Sequence, residues 1–145
     1  MRYLSENSWV LSALLSAVFA ALTAVFAKIG LEGIPSDLAT AVRAPVILVF
    51  AWGFAYFAGQ TSKLPDITAK GWFFLIVSGL MTGLSWIFYF RALKGGAASR
   101  VVPIDRLSIV FVLLFGVIFL RERLQLHQIA GIFLILGGTL LVIRE

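Results

Sequence analysis

Five apolar stretches, each close to the length of a bilayer crossing, constrain this chain more than any other feature. The first runs without a charge from Trp9 to Ala27. Four more follow, divided by short segments that hold most of the charge. A transmembrane helix needs about 20 predominantly apolar residues. The spacing predicts helices over about 9–29, 37–58, 71–93, 100–120 and 124–143, as a single unit over 1–145. Only 13% of the 145 residues are charged and 61% are hydrophobic, too little polar surface to clothe a water-soluble core. The apolar excess must therefore face lipid. The expected fold class is all-α, a polytopic bundle of five transmembrane helices. The first stretch is too long for a signal-peptide core and is read as a retained span.

Composition also excludes chemistry. There is no cysteine and His127 is the only histidine, which removes disulfides, thiol catalysis and thiolate or multi-histidine metal sites. No acid pair, Ser–His–Asp set or phosphate loop appears. The expectation is no enzyme, no metal and no cofactor. The net charge of +5 is read as topology and headgroup charge rather than as a nucleic-acid surface.

The loops carry local signals. Gly30 and Gly33 end the first helix, with Lys28 in its last turn. Ser36 is the expected N-cap of the second, which Pro45 should kink or loosen. Residues 59–70 form a polar loop containing Pro65, and Lys94-Gly95-Gly96 stops the third helix. In the fourth, the uncharged stretch from Leu107 to Leu120 spans only about 21 Å at 1.5 Å per residue. Asp105 and Arg106 must then lie at or inside the membrane edge.

Five spans put the termini on opposite sides. Arg2, Lys63, Lys70, Arg121 and Arg123 fall on one face; Lys28, Arg43, Arg91, Lys94, Arg100, Arg106 and Arg144 fall on the other. Setting aside Arg43 and Arg106, which lie within helices, leaves the faces balanced, so the positive-inside rule gives almost no orientation. One reading is a bias too small to matter. The other is dual topology, with copies inserted both ways and paired antiparallel.

Charges inside a membrane are costly, and usually paired or functional. Arg43 and Asp105 each lie about 7–10 Å into helices that start on the same face, and could form an ion pair. With Arg106, Lys28 and Arg91 they make up a candidate charged gate; snorkelling toward headgroups is the plain alternative. On the third helix Ser78, Thr82, Ser85 and Tyr89 recur at helical spacing, a polar stripe down one face. Beside it run Gly79, Gly83, Trp86 and Phe90. Gly79-x-x-x-Gly83 suits close helix contact, as do Gly131, Gly137 and Gly138 in the last helix. Ser12, Ser16 and Thr23 repeat the hydroxyl theme in the first helix. Two such stripes facing one another would line a cavity.

The stretch from Ala97, AASRVVPIDRLSIVFVLLFGVIFLRERLQLHQIAGIFLILGGTLLV, resembles the C-terminal part of an EamA-like unit of the drug/metabolite transporter superfamily. The matching features are the small-residue start, Pro103, a helix ending in Leu-x-Glu-Arg-Leu, Gln128-x-x-Gly131 and the glycine-rich last helix. Glu122 fits the family's acidic position, whereas Arg121 stands where the family commonly has glycine. The AKIGLEG ending of the first helix is compatible. Large family members have ten helices in two inverted repeats, and this chain resembles one repeat. The resemblance implies an inner-membrane, multi-pass secondary transporter, often an exporter, of metabolites, amino acids or drugs. It would work by alternating access, here as an antiparallel homodimer. It also implies a cavity at Ser16, Thr23, Ser85, Trp86, Tyr89 and Asp105, to which the stripe adds Ser78 and Thr82. A reading from another class is a membrane partner that transports nothing itself, packed against a second protein, or a lipid-carrier flippase subunit.

Overall fold

The computed structural model describes residues 8–121 and 125–143. They form helices, one 3-10 segment and turns, with no strand among the described residues. The helices are α1 (Ser8–Gly30), α2 (Ser36–Phe57), α3 (Ala69–Gly95), α4 (Ala98–Asp105), α5 (Ser108–Leu120) and α6 (Leu126–Ile143), with the 3-10 segment Thr61–Asp66 between α2 and α3. Five segments are long and apolar enough to cross a membrane, with Ala98–Phe119 counted as one. Nearly all the large apolar side chains on these segments are exposed, Phe50, Phe57, Phe119 and Leu134 among them. Such a surface is stable only when lipid covers it. The all-α multi-pass fold expected from the sequence is what forms. Arg2, Glu122, Arg123, Leu124 and Arg144 lie outside the described residues.

The chain divides into two compact units. One is Phe26–Gly95, in which α2 packs along α3. The other combines Met1–Val25 with Gly96–Glu145, and in it α4 packs on α6.

Local chemistry sets the helix ends, and at three places it departs from the sequence expectation. The N-cap of α2 is Pro35, extended at φ −63° and ψ 139°; its carbonyl accepts the Ala39 N–H at 3.1 Å. Ser36 is already inside the helix, and its hydroxyl reaches only the Asp37 carboxylate, at 3.4 Å. Proline holds φ near the value found at this boundary, and the helix starts without a side-chain cap hydrogen bond. The third helix begins earlier than residue 71 because Thr68 caps it, accepting the Gly71 N–H at 3.1 Å. A side chain at Gly71 would meet Ile67 Cγ2 at 3.2 Å.

The fourth span is not one continuous helix. Leu107, Ile109 and Val110 donate to carbonyls three residues back, at 2.9, 3.1 and 3.0 Å. The ladder thus tightens at Arg106 and Leu107 and separates α4 from α5. Pro103, inside α4, has already removed the donor for the Ser99 carbonyl. Two interruptions thus fall within about two turns, beside the charged Asp105 and Arg106. Irregular backbone at membrane depth is tolerated where protein or a wet cavity surrounds it.

At the far end of α5, Arg121 caps the helix in the left-handed region, at φ 57° and ψ 30°. That region costs an L residue about 1 kcal/mol and costs glycine nothing. Arg121→Gly is expected to raise stability by about 0.5–1 kcal/mol, read as a higher thermal midpoint in mild detergent. A lowered midpoint would show that the arginine side chain holds something worth more than the strain. The next helix is secured by Gln128, whose side-chain oxygen accepts the Gln125 N–H at 2.8 Å, the returning half of a capping box.

Candidate functional site: the groove between α2 and α3

Small residues recur four apart on both helices of the Phe26–Gly95 unit. Thr40 and Ala44 lie on α2, Gly79 and Gly83 on α3. Between them runs a groove of about 590 Å³, lined by Asp37, Thr40, Ala41, Ala44, Gly79, Thr82, Gly83, Trp86 and Ile87. On α3 its lining runs through Gly79, Thr82 and Gly83, around the midpoint of that helix. Its mouth is Asp37, in the first turn of α2. A side chain built at Gly79 or Gly83 would meet no atom within 4 Å. Within this unit the two glycines leave room rather than seat a neighbouring helix. The same holds for the built side chains of Gly131, Gly137 and Gly138 on α6.

Hydroxyls in the groove are held to their own helices. Thr82 Oγ1 donates to the Ser78 carbonyl at 2.9 Å, and Thr40 Oγ1 to the Ser36 carbonyl at 3.0 Å. Such back-bonding uses the proton and leaves the oxygen as an acceptor. Pro45 has no N–H, so the carbonyl of Ala41, a lining residue, lacks its helical donor. Of the residues singled out on α3, Thr82 and Trp86 line the groove; Ser78, Ser85 and Tyr89 are not among its lining residues. The groove follows the row of Gly79, Gly83 and Trp86 rather than the row of hydroxyls. In the other unit, Thr23 Oγ1 donates to the Phe19 carbonyl at 2.8 Å, Ser12 likewise to Ser8 at 2.9 Å, and Ser16 is exposed.

The charged residues take settings that their depth alone did not disclose. Asp37 is gripped by Arg91 through both oxygens, Nε to Oδ1 at 2.9 Å and Nη2 to Oδ2 at 2.7 Å. This fork joins the start of α2 to the last turns of α3 at the groove mouth. Two lysines secure the same end. Lys28 Nζ donates to the Leu93 carbonyl at 2.6 Å and Lys94 Nζ to the Ile34 carbonyl at 2.7 Å. Leu93 is fully buried, and Phe90 and Leu31 are buried.

Arg43 stands apart. Its guanidinium carbon lies 4.8 Å from the centroid of the Trp86 ring and 4.7 Å from that of Phe90. No carboxylate in its own unit pairs with it, and Asp37 is occupied by Arg91. A cation–π contact contributes about 0.5–2 kcal/mol. An arginine at a helix centre costs roughly 2.5–3.5 kcal/mol on insertion scales. The rings offset much of that cost but accept none of the guanidinium's five N–H donors. Asp105 closes α4 in the other unit and is exposed, as is Arg106 after it. Among the described residues no three His, Cys, Asp or Glu gather.

Five helical spans carry a mainly apolar groove that includes Thr40, Thr82 and Trp86. The sequence matches the EamA-like transporter family over residues 7–144. The chain belongs to that family and is a multi-pass membrane transporter. It is 53% identical to a Sinorhizobium protein described as an uncharacterized transporter in the cobO 3' region, over 94% of this chain and 97% of the relative. It is 30% identical to an uncharacterized transporter of Archaeoglobus fulgidus, over 91% of this chain but 47% of the relative. A Bacillus subtilis relative, the uncharacterized transporter YxxF, is 25% identical over 81% of this chain and 39% of its own length. The chain thus spans nearly all of the first relative and half or less of the other two. No solved structure matches it.

Proposed function

We propose that this chain exports small metabolites, amino acids or drug-like compounds across the inner membrane by alternating access, as an antiparallel homodimer. The carrying observation is the groove between α2 and α3, which sets a Trp face and acceptor oxygens at bilayer depth. Thr82 and Trp86 are its centre. Ser16, Thr23, Ser78, Ser85 and Tyr89 are the further cavity residues of this reading. The fork between Asp37 and Arg91 acts as a latch at the Asp37 end of the groove, and Arg43, Asp105 and Arg106 are the remaining charged gate residues of this reading. The homodimer reading draws on the match of this chain to 47% of the Archaeoglobus relative. Balanced basic residues support insertion in both orientations, and transporter sites form between inverted repeats.

The test joins topology to flux. Reporters active on opposite sides of the membrane are fused to the C-terminus, and both are expected to be active. Activity of one alone overturns dual topology. Purified protein in vesicles is expected to move substrate, and vesicles that move none of a broad panel of small solutes would overturn the transport reading. A monomer in mild detergent would remove the homodimer and favour a partner role.

A further inference from the structure

We infer that Arg43 is the anchor for a negatively charged group on the cargo. The cargo would then be an amphipathic organic monoanion, a carboxylate on an apolar or aromatic body. This rests on the transport reading above and names the substrate class of the same groove.

The argument starts from which charges are already used. At this end of the Phe26–Gly95 unit, Arg91 is matched to Asp37, and Lys28 and Lys94 donate to backbone carbonyls. Arg43 has ring faces and no acceptor among the described residues of its unit. Its side chain is partly exposed, which leaves the guanidinium open to approach from one side. Arg43 is not itself a lining residue, but the Trp86 ring against which its guanidinium lies is one, which sets the cation one side chain from the groove. A carboxylate fits a guanidinium through two parallel hydrogen bonds. The rest of the groove surface is mainly apolar, which suits a hydrocarbon or aromatic body beside Trp86. The absent side chains of Gly79 and Gly83 give that body its room. A cationic cargo would meet Arg43 with like charge, and the acid that lines the groove, Asp37, is held by Arg91. A dianion would leave one charge unmatched in an apolar groove.

The probe is phenylacetate, compared with phenethylamine and benzyl alcohol, which share its ring and differ in charge. Trp9, Trp52 and Trp72 are replaced by phenylalanine so that emission reports on Trp86 alone, in phosphatidylcholine vesicles. Phenylacetate is expected to change that emission saturably, at least tenfold more tightly than the amine or the alcohol. Arg43→Gln is expected to lose the response tenfold or more, and Arg43→Lys to keep part of it, with helix content unchanged in both. An equal response to the amine or alcohol, an undiminished response in Arg43→Gln, or no response to phenylacetate overturns the inference. The last result would leave Arg43 to a lipid phosphate. Flux above protein-free vesicles separates the two proposals. Phenylacetate binding without flux sinks the transport reading and leaves this one. Flux of the amine without the anion does the reverse.

Discussion

Gly83→Leu is expected to cut flux at least tenfold while leaving thermal stability within about 1 kcal/mol of the parent. The groove is the reason for both halves. Adding a side chain to a packed interior costs about 1–3 kcal/mol, because neighbours must leave their rotamers. A Cβ at Gly83 meets nothing within 4 Å, so the leucine enters open space with little strain. That space lies between Thr40, Ala41 and Ala44 on one wall and Thr82 and Trp86 on the other. Leucine there takes the volume that the cargo needs. Flux into vesicles and a thermal unfolding curve, measured on the same preparation, read the two effects separately. Flux equal to the parent's would remove the groove from the transport path. A fall in stability with loss of the dimer would return Gly83 to helix packing, between copies rather than within one.

The spans were legible because lipid imposes a simple requirement, a long apolar helix, that hydropathy records directly. The interruption of the fourth span was half visible. Pro103, Asp105 and Arg106 advertised a weak point, but whether the ladder would tighten or merely bend depends on backbone geometry that residue identities do not encode. The groove was legible by residue and not by face. Thr82, Trp86, Gly79 and Gly83 were all singled out from spacing on α3. What decides between a packed and an open glycine pair is the opposing wall. That wall needs the rotation of α2 against α3, and one helix's periodicity is silent on it. Thr40 and Ala44, four apart, were the available signal. For the same reason Arg43 could be placed at depth but not beside Trp86 and Phe90. Asp37, at the start of the second helix, was not connected to Arg91. Depth along the membrane follows from counting residues; pairing between spans does not.

Lys28 is the residue for which that distinction has the largest energetic consequence. Its depth suggested a gate; its bond to the Leu93 carbonyl supports a structural role. The Leu93 carbonyl lies in the last turn of α3, where no further helical N–H exists to bond it. Leu93 itself is fully buried, so water is a poor replacement, and the ammonium of Lys28 supplies the donor at 2.6 Å. A hydrogen bond from a charged donor contributes about 1.5–3 kcal/mol, and an acceptor left unmatched in a buried setting costs about 1–3. The positive charge also favours the C-terminal end of α3. Lys28→Met keeps the length and apolar stem and removes only the donor. It is expected to lower stability by about 1–3 kcal/mol, seen as a lower unfolding midpoint in phosphatidylcholine vesicles. Flux well below that midpoint should stay within about twofold of the parent, a change under 0.5 kcal/mol. Lys28→Arg, which retains a donor, should fall between the two. Lys94→Met should cost less, because its bond to the Ile34 carbonyl is exposed to water. The opposite pattern, flux lost with the midpoint unchanged, would make Lys28 a moving part of the gate rather than the clasp that fixes the end of α3 on which Trp86, Phe90 and Arg91 are carried.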